Sequence, residues 1–255
     1  MGLPEPVPAM RLMLLLMMLL AAPLVQAQDP PPRWTLGVLA ANRDAPYVGL
    51  DEGLLFAPLV RFEGERFHIR GLRAGGNLYE NGGFAIDSFF QVRLDGYKAK
   101  DSPFLAGMDD RDFSLDGGFA AKWSREKVGQ FDLAVTTDLL GRSYGEEVQL
   151  SYSALFRRFG WTFVPSLTLQ WQDEDLIDYY FGVRDDEALP GRAAYRPGSA
   201  MTPQFLLLAT HPVGKRWSVF TYLGYSWFPS EITDSPIVDQ DSRATVMLGL
   251  GYSPD

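Results

Sequence analysis

The stretches Trp161-x-Phe163-x-Pro165-x-Leu167-x-Leu169-x-Trp171 and Trp217-x-Val219-x-Thr221-x-Leu223-x-Tyr225-x-Trp227 carry a mostly apolar side chain at every second position between two tryptophans. Period two marks an extended strand with one apolar face. Ten residues at ~3.3 Å each, tilted by ~40°, climb ~25 Å, the height of the apolar band of a transmembrane β-barrel between its aromatic girdles. Water-soluble strands rarely need aromatics at both ends of one face. Trp161, Trp171, Trp217, Tyr225 and Trp227 are therefore the expected membrane girdle.

The N-terminus agrees. Arg11 precedes the apolar run Leu12 to Ala22, and Val25-Gln26-Ala27 supplies small residues for a cut. This is the layout of a secretory signal peptide, residues 1–27, with Met10 an alternative start. The run is too short for a spanning helix, which needs ~20 residues. The chain has no cysteine, which excludes both a lipid anchor on cysteine and a disulfide framework. Pro30-Pro31-Pro32 makes residues 28–33 a stiff leader, and residues 34–255 are expected to form one barrel domain.

A mean hydropathy of −0.08 with 13% aromatics suits a barrel, half of whose strand residues face a polar interior. The net charge of −9 argues against a nucleic-acid binder, which would show a basic patch. Strand-like runs recur at about 33–41, 53–62, 66–79, 83–95, 113–124, 129–139, 144–158, 161–172, 200–213, 216–228 and 243–253. Runs of this kind, with turn signals between them, predict an all-β protein, closed or sandwiched.

Energy decides which face meets lipid. In 113–124 Phe113, Leu115, Phe119 and Trp123 oppose Asp116 and Lys122; in 129–139 Phe131, Leu133, Val135 and Leu139 oppose Asp132 and Asp138. In 144–158 Val148, Leu150, Tyr152 and Phe156 oppose Gln149, Ser151 and Arg157. A Lys or Arg at the bilayer midplane costs ~2–4 kcal/mol. The apolar set faces out, and Asp87, Asp116, Lys122, Asp132, Asp138 and Arg157 are expected to line the lumen. A soluble sandwich would reverse the faces; the signal peptide, the girdles and the many long strands favour the membrane.

Eleven runs conflict with the even strand number of bacterial barrels. The apolar phase slips around Gly71, so 66–79 reads as two short strands or one bulged strand. The segment 176–183 is the other place for a hidden strand. The expectation is an antiparallel up-and-down transmembrane β-barrel of about 12 strands, with 10 as the fallback. Pro58, Pro165 and Pro203 inside strand runs predict bulges. Tight turns near 63–65, 125–127, 159–160 and 214–215 belong to the periplasmic side, and 42–52, 96–112, 173–199 and 229–242 to the outside. The acid-rich 173–199 reads as a solvated loop or a lid.

Several local patterns resemble the MipA/OmpV family of outer-membrane proteins. They are Ala45-Pro46-Tyr47-Val48-Gly49, Arg66 to Tyr79 into Phe84 to Tyr97, and Asp178-Tyr179-Tyr180-Phe181-Gly182-Val183 with Arg192 and Tyr195. Asp234-Ser235-Pro236-Ile237-Val238 and Leu248-Gly249-Leu250-Gly251-Tyr252 complete the series in the same order. The resemblance implies an outer-membrane barrel. For the best-known member it implies a scaffold joining a lytic murein transglycosylase to a murein synthase; it brings no catalytic residue and no cofactor. One departure stands at the end: outer-membrane strands commonly finish on an aromatic assembly signal, and here Tyr252 is followed by Ser253-Pro254-Asp255. Trimming those three residues is expected to leave assembly intact or improve it.

Chemistry is sparse. His68 approaches Asp87 and Ser88 only in one particular strand register, and His211 precedes Pro212 at a turn. No zinc-ligand spacing is present. Three readings remain: a non-enzymatic scaffold in outer-membrane lipid, a narrow channel whose Asp87, Asp116, Asp132 and Asp138 favour cations, and a barrel hydrolase.

Overall fold

The computed structural model describes residues 34–50 and 53–254, so the expected signal peptide and Pro-rich leader lie outside the described residues. One antiparallel sheet contains β1 (Trp34–Arg43), β2 (Leu55–Glu63), β3 (Phe67–Arg70), β4 (Arg73–Asn81), β5 (Phe84–Arg93), β6 (Ser114–Arg125) and β7 (Gly129–Asp138). It continues through β8 (Glu146–Ser153), β9 (Phe156–Arg158), β10 (Trp161–Gln172), β11 (Ala200–Val213), β12 (Trp217–Trp227) and β13 (Ser242–Tyr252). β8 and β9 face β10 in one unbroken register, Ser153 opposite Ser166 and Phe156 opposite Phe163, so they are one interrupted strand. β13 pairs with β1, and the sheet closes as a barrel of 12 strands. Closure leaves no long free edge, which is what lets a sheet sit in hydrocarbon.

The missing strand lies where the apolar phase slips. Gly71, at φ 63°, and Leu72 form a two-residue turn between β3 and β4. This hairpin is short: β3 pairs only with Arg61, Phe62 and Glu63 of β2, and the Gly71 N–H closes on the Val60 carbonyl at 2.9 Å. The other suspected strand, 176–183, is instead helical. α1 (Glu174–Phe181) starts at Asp173, whose carboxylate accepts from the Leu176 N–H at 2.9 Å. A single turn, α2 (Ser230–Thr233), lies in the last loop.

The expected proline bulges do not form. Pairing runs without a shift past Pro58, Pro165 and Pro203, and the register shift falls instead at Leu78, between Asn77 and Tyr79. Pro165 acts differently. Its carbonyl accepts from the Ala154 N–H at 3.2 Å, but it has no N–H to return, and that lost bond separates β8 from β9.

The outward face carries the apolar stripe of each strand. Around the short-turn end, rings pack in neighbouring pairs: Trp34 with Phe62 at 4.6 Å, Phe131 with Tyr152 at 4.9 Å, and Trp217 with Tyr252 at 5.0 Å. Trp161 stacks on His211 at 4.9 Å in the same ring of aromatics. Trp171, Tyr225 and Trp227 mark the long-loop end on β10 and β12. The fold is thus a transmembrane barrel, and among the described residues no helix is long and apolar enough to cross a membrane.

Candidate functional site

The main apolar core sits in the mouth of the barrel, built by the long loops. Tyr47, Tyr97, Leu105, Met108, Leu176, Ile177, Tyr180, Phe181, Ile232 and Ile237 are all buried there. α1 presents Leu176, Ile177, Tyr180 and Phe181 on one face, and Tyr47 packs against both Tyr97 (4.7 Å) and Phe181 (5.8 Å). Burial pushes the Tyr97 hydroxyl up to about 12. Segment 173–199 therefore lies folded into the mouth as part of a lid.

The residues quoted for the family resemblance tie this cap together. Val183 and Tyr195 exchange backbone bonds of 2.9 Å, and the Tyr195 hydroxyl donates to the Glu231 carbonyl at 3.2 Å. Tyr179 accepts from the Asp112 N–H at 3.0 Å, and Tyr180 is buried below it. Buried Arg192 donates to the carbonyls of Glu187, Ala106 and Phe104, joining two loops. The Ser235 hydroxyl donates to the Phe181 carbonyl at 2.6 Å, the intervening Pro236 is half-buried, and Val238 bridges to Tyr47. At Gly182 a Cβ would stand 2.5 Å from the Asp178 backbone carbonyl, so a larger residue would shift the chain where it leaves α1.

One ion pair braces the cap. Arg111 Nη2 donates to both Glu187 oxygens at 3.0 and 2.8 Å, with both side chains buried. Glu187 also accepts from the N–H groups of Asp109 (2.9 Å) and Arg184 (3.0 Å). Burial alone would raise the Glu187 carboxyl; Arg111 and these two amides outweigh it and hold it below its ordinary value.

Beneath the cap a polar belt crosses the lumen. Asp95 accepts from Arg43 at 2.5 Å and Arg243 at 3.1 Å, and these guanidiniums with Arg93 hold its carboxyl well below the usual range despite burial. Arg93 pairs with Asp116 at 2.7 Å and Glu147 at 2.9 Å, and Glu147 also accepts from Gln149, Gln170 and Gln172. A chamber of about 50 Å³ lies here, lined by Gln170, Gln172, Thr202, Gln204, Asp95 and Arg243. That is room for a few waters.

The residues expected to line the lumen occupy several environments. Asp87 is buried against Lys122 at 2.6 Å, Asp132 accepts from Gln130 at 2.7 Å, and Arg157 stands opposite Thr162. Asp138 lies at the loop end of β7, where its carboxylate accepts from Ser114 and from the N–H groups of Leu140, Ser143 and Tyr144. All four carboxylates proposed to favour cations are thus engaged, and the added arginines, Arg43, Arg93 and Arg243, are basic. The lumen is also less charged than the alternation implies. Leu39, Leu59, Val164, Leu206, Leu208, Phe220 and Met247 face inward and are half-buried, set by their cross-strand partners.

The histidines do not assemble a hydrolase site. His68 faces the lumen opposite Gly75, where a Cβ would stand 2.8 Å from its ring. Ser88 pairs with Gly76 and Phe119, on the lipid-facing side, away from His68. His211 bonds the Gly160 carbonyl at 3.0 Å on the outward face at the short-turn end.

Residues 36–254 match the family model described as MltA-interacting protein MipA. The chain belongs to the MipA family. It is 27% identical over 225 residues to the MltA-interacting protein of Escherichia coli (strain K12), covering 86% of this chain and 90% of that one. It is 28% identical over 152 residues to the outer membrane protein OmpV of Vibrio cholerae, covering 58% and 57% of the two chains. Among solved structures it is similar to the NanC porin, with a TM-score of 0.46 and 10% identity, covering 86% of this chain and 100% of that one. As a barrel of this family it is an outer-membrane protein.

Proposed function

We propose that this MipA-family barrel is a non-catalytic docking platform, closed to the outside, that holds a lytic murein transglycosylase and a murein synthase at the inner surface of the outer membrane. The observation that carries the reading is the contrast between the two ends. The outer mouth is capped. The short turns and the strand ends beside them carry six basic residues, Arg66, Arg125, Lys127, Arg158, Lys215 and Arg216, against three acids, Glu63, Glu65 and Glu126. The whole chain has a net charge of −9, so the loop end is strongly acidic and the turn end basic. Phe159 adds an apolar tip, 84% exposed, at a tight turn.

These turns offer little area, well short of the ~800 Å² per partner of a standard interface. Contacts there belong to the small, charge-steered class whose on-rates depend on salt. The name of the Escherichia coli relative, MltA-interacting protein, supports the transglycosylase as partner, and the synthase comes from the family resemblance.

Pull-down of a lytic murein transglycosylase by the full mature barrel, at low and at ~0.5 M salt, tests this. Capture is expected at low salt and is expected to fall several-fold in Arg125→Glu/Lys127→Glu/Arg158→Glu. Capture indifferent to these charges, or recovery of unrelated envelope proteins alone, overturns the proposal. A second reading, a gated narrow channel, is favoured by the chamber of about 50 Å³ beneath the cap. Discrete conductance steps across a planar bilayer would support it over a plugged platform.

A further inference from the structure

Two features that the docking reading does not use lie side by side in the wall. The first is an unfinished edge. Above Val60, among the described residues, no strand pairs with β2 on the side away from β1, because the β3–β4 hairpin ends at Gly71-Leu72. Where the hairpin is present it spans three strand spacings, ~14 Å. Val60 turns its carbonyl toward this side, so by alternation Pro58 turns its nitrogen there too. A proline has no N–H to leave unpaired in lipid, and its ring blocks the addition of another strand. Both faces of this part of β2 are apolar: Phe56, 77% exposed, points outward with Pro58, and Leu55, 58% exposed, points inward with Ala57 and Leu59.

The second feature is the division of the lumen. Leu39, Leu59, Leu208, Phe220 and Met247 form an apolar strip on β1, β2 and β11 to β13. The tip of the Phe220 ring occupies the place a Cβ on Gly249 would take, 1.9 Å from it, so a glycine has cleared room for an aromatic side chain. The adjoining wall is charged. Directly below the unfinished edge Arg61, Arg70 and Arg73 form one inward row across β2, β3 and β4. Glu63 serves both Arg61 (3.1 Å) and Arg70 (2.8 Å). Arg73 has no carboxylate partner among the described residues and lies over the Phe89 ring at 3.3 Å with its Nε unbonded.

We infer that the gap between the upper edge of β2 and the segment that follows β5 is a lateral window through which a free anionic amphiphile with one alkyl chain enters the lumen, its head on the Arg61–Arg70–Arg73 row and its tail on the apolar strip. An apolar strip facing water is unfavourable, a cation without a counter-ion asks for an anion, and the opening beside both is lined with apolar side chains. Another strand is blocked by Pro58. A neutral solute would satisfy neither the arginine nor the strip.

Photo-crosslinking in phosphatidylcholine nanodiscs tests this with the full mature barrel and palmitate carrying a diazirine near its chain end. Labelling is expected at Leu39, Leu59, Leu208 and Met247, competed by excess palmitate but not by hexadecanol. Arg73→Gln is expected to weaken labelling at least tenfold while Arg73→Lys keeps most of it, both variants retaining heat-modifiable migration on gels. Labelling confined to the outward residues Val38, Leu167 and Leu248, or equal competition by the alcohol, overturns the site. Lengthening the hairpin by two residues on each side of Gly71-Leu72, in a Pro58→Thr background that restores the missing N–H, should slow labelling by covering the β2 edge. An unchanged rate overturns the lateral route.

Discussion

The capped mouth and the gap beside β2 are both interruptions of the barrel, and they are finished in opposite ways. The mouth is filled: its loops bury apolar side chains such as Leu105, Ile177 and Ile237 completely, and its buried Arg111 and Glu187 pair with each other. The gap is left bare: Leu55, Phe56 and Leu72 remain exposed, and the sole concession at the edge is a proline. Loops at the mouth face water, where an unpacked segment costs ordering entropy without return, so closure requires a core. An edge in the bilayer is already surrounded by apolar solvent; only its backbone groups are unfavourable there. The same chain therefore builds a protein-like core at one place and a lipid-like surface at the other.

The largest test of this contrast is removal of the brace from the mouth. Glu187→Ala leaves the Arg111 guanidinium buried without its carboxylate, a change of about 3–5 kcal/mol. The loss is expected in the cap alone, read as faster hydrogen exchange at the Asp109 and Arg184 amides, while the barrel keeps its heat-modifiable migration. Acid should mimic it. The Glu187 carboxyl is held below its ordinary value in the folded cap, so its contribution is complete above the unfolded pKa, ~4.3, and is lost as pH falls through the folded one. Exchange in wild-type loops should therefore rise below about pH 4, and Glu187→Gln should flatten that dependence. Loops as protected in Glu187→Ala as in wild type would show that the apolar core alone holds the mouth.

A smaller effect is expected in the wall. At Gly75 a Cβ would stand 2.7 Å from the Ser88 carbonyl and 2.9 Å from the Phe89 Cβ, and neither strand can yield without moving the hairpin. Gly75→Val should cost about 1–3 kcal/mol, seen as a lower urea midpoint for unfolding from detergent. A midpoint within error of wild type would mean that this wall deforms freely, and the gap would then have no fixed shape.

Most of the barrel is legible in the sequence because lipid enforces period two. The strands that carry Trp161 to Trp171 and Trp217 to Trp227 keep their apolar faces outward along their whole length. The twelfth strand shows itself only as a phase slip at Gly71, since four residues are too few for periodicity to register. The helix α1 is hidden because Leu176, Ile177, Tyr180 and Phe181 read as a short apolar run, and such runs do not separate strand from helix. The proline bulges fail because alternation gives each residue one hydrogen-bonding side, and sequence does not reveal which neighbour that side meets. The cap is the least legible part. Arg111 and Glu187 lie 76 residues apart, and only the closed barrel brings their loops together.

The smallest expected effect concerns the seam where the barrel closes. Sequence alone treats Ser253 to Asp255 as an overhang behind the assembly signal Tyr252. In the structure the Ser253 N–H donates to the Arg216 carbonyl at 2.7 Å, and its hydroxyl shares a 3.0 Å bond with Thr35. The overhang thus extends pairing on both sides of the last strand. Truncation after Tyr252 removes these two bonds, each worth ~0.5–1.5 kcal/mol, at a rim where water replaces much of the loss. Tyr252→Ala instead removes the ring packed on Trp217 at 5.0 Å and the last aromatic of the closing strand, so it should lower refolded yield more than the truncation does. Truncation is expected to reduce yield slightly. A truncated barrel that refolds better than wild type would mean that the seam is held by the Trp217–Tyr252 pair and the preceding ladder, with Ser253 adding nothing.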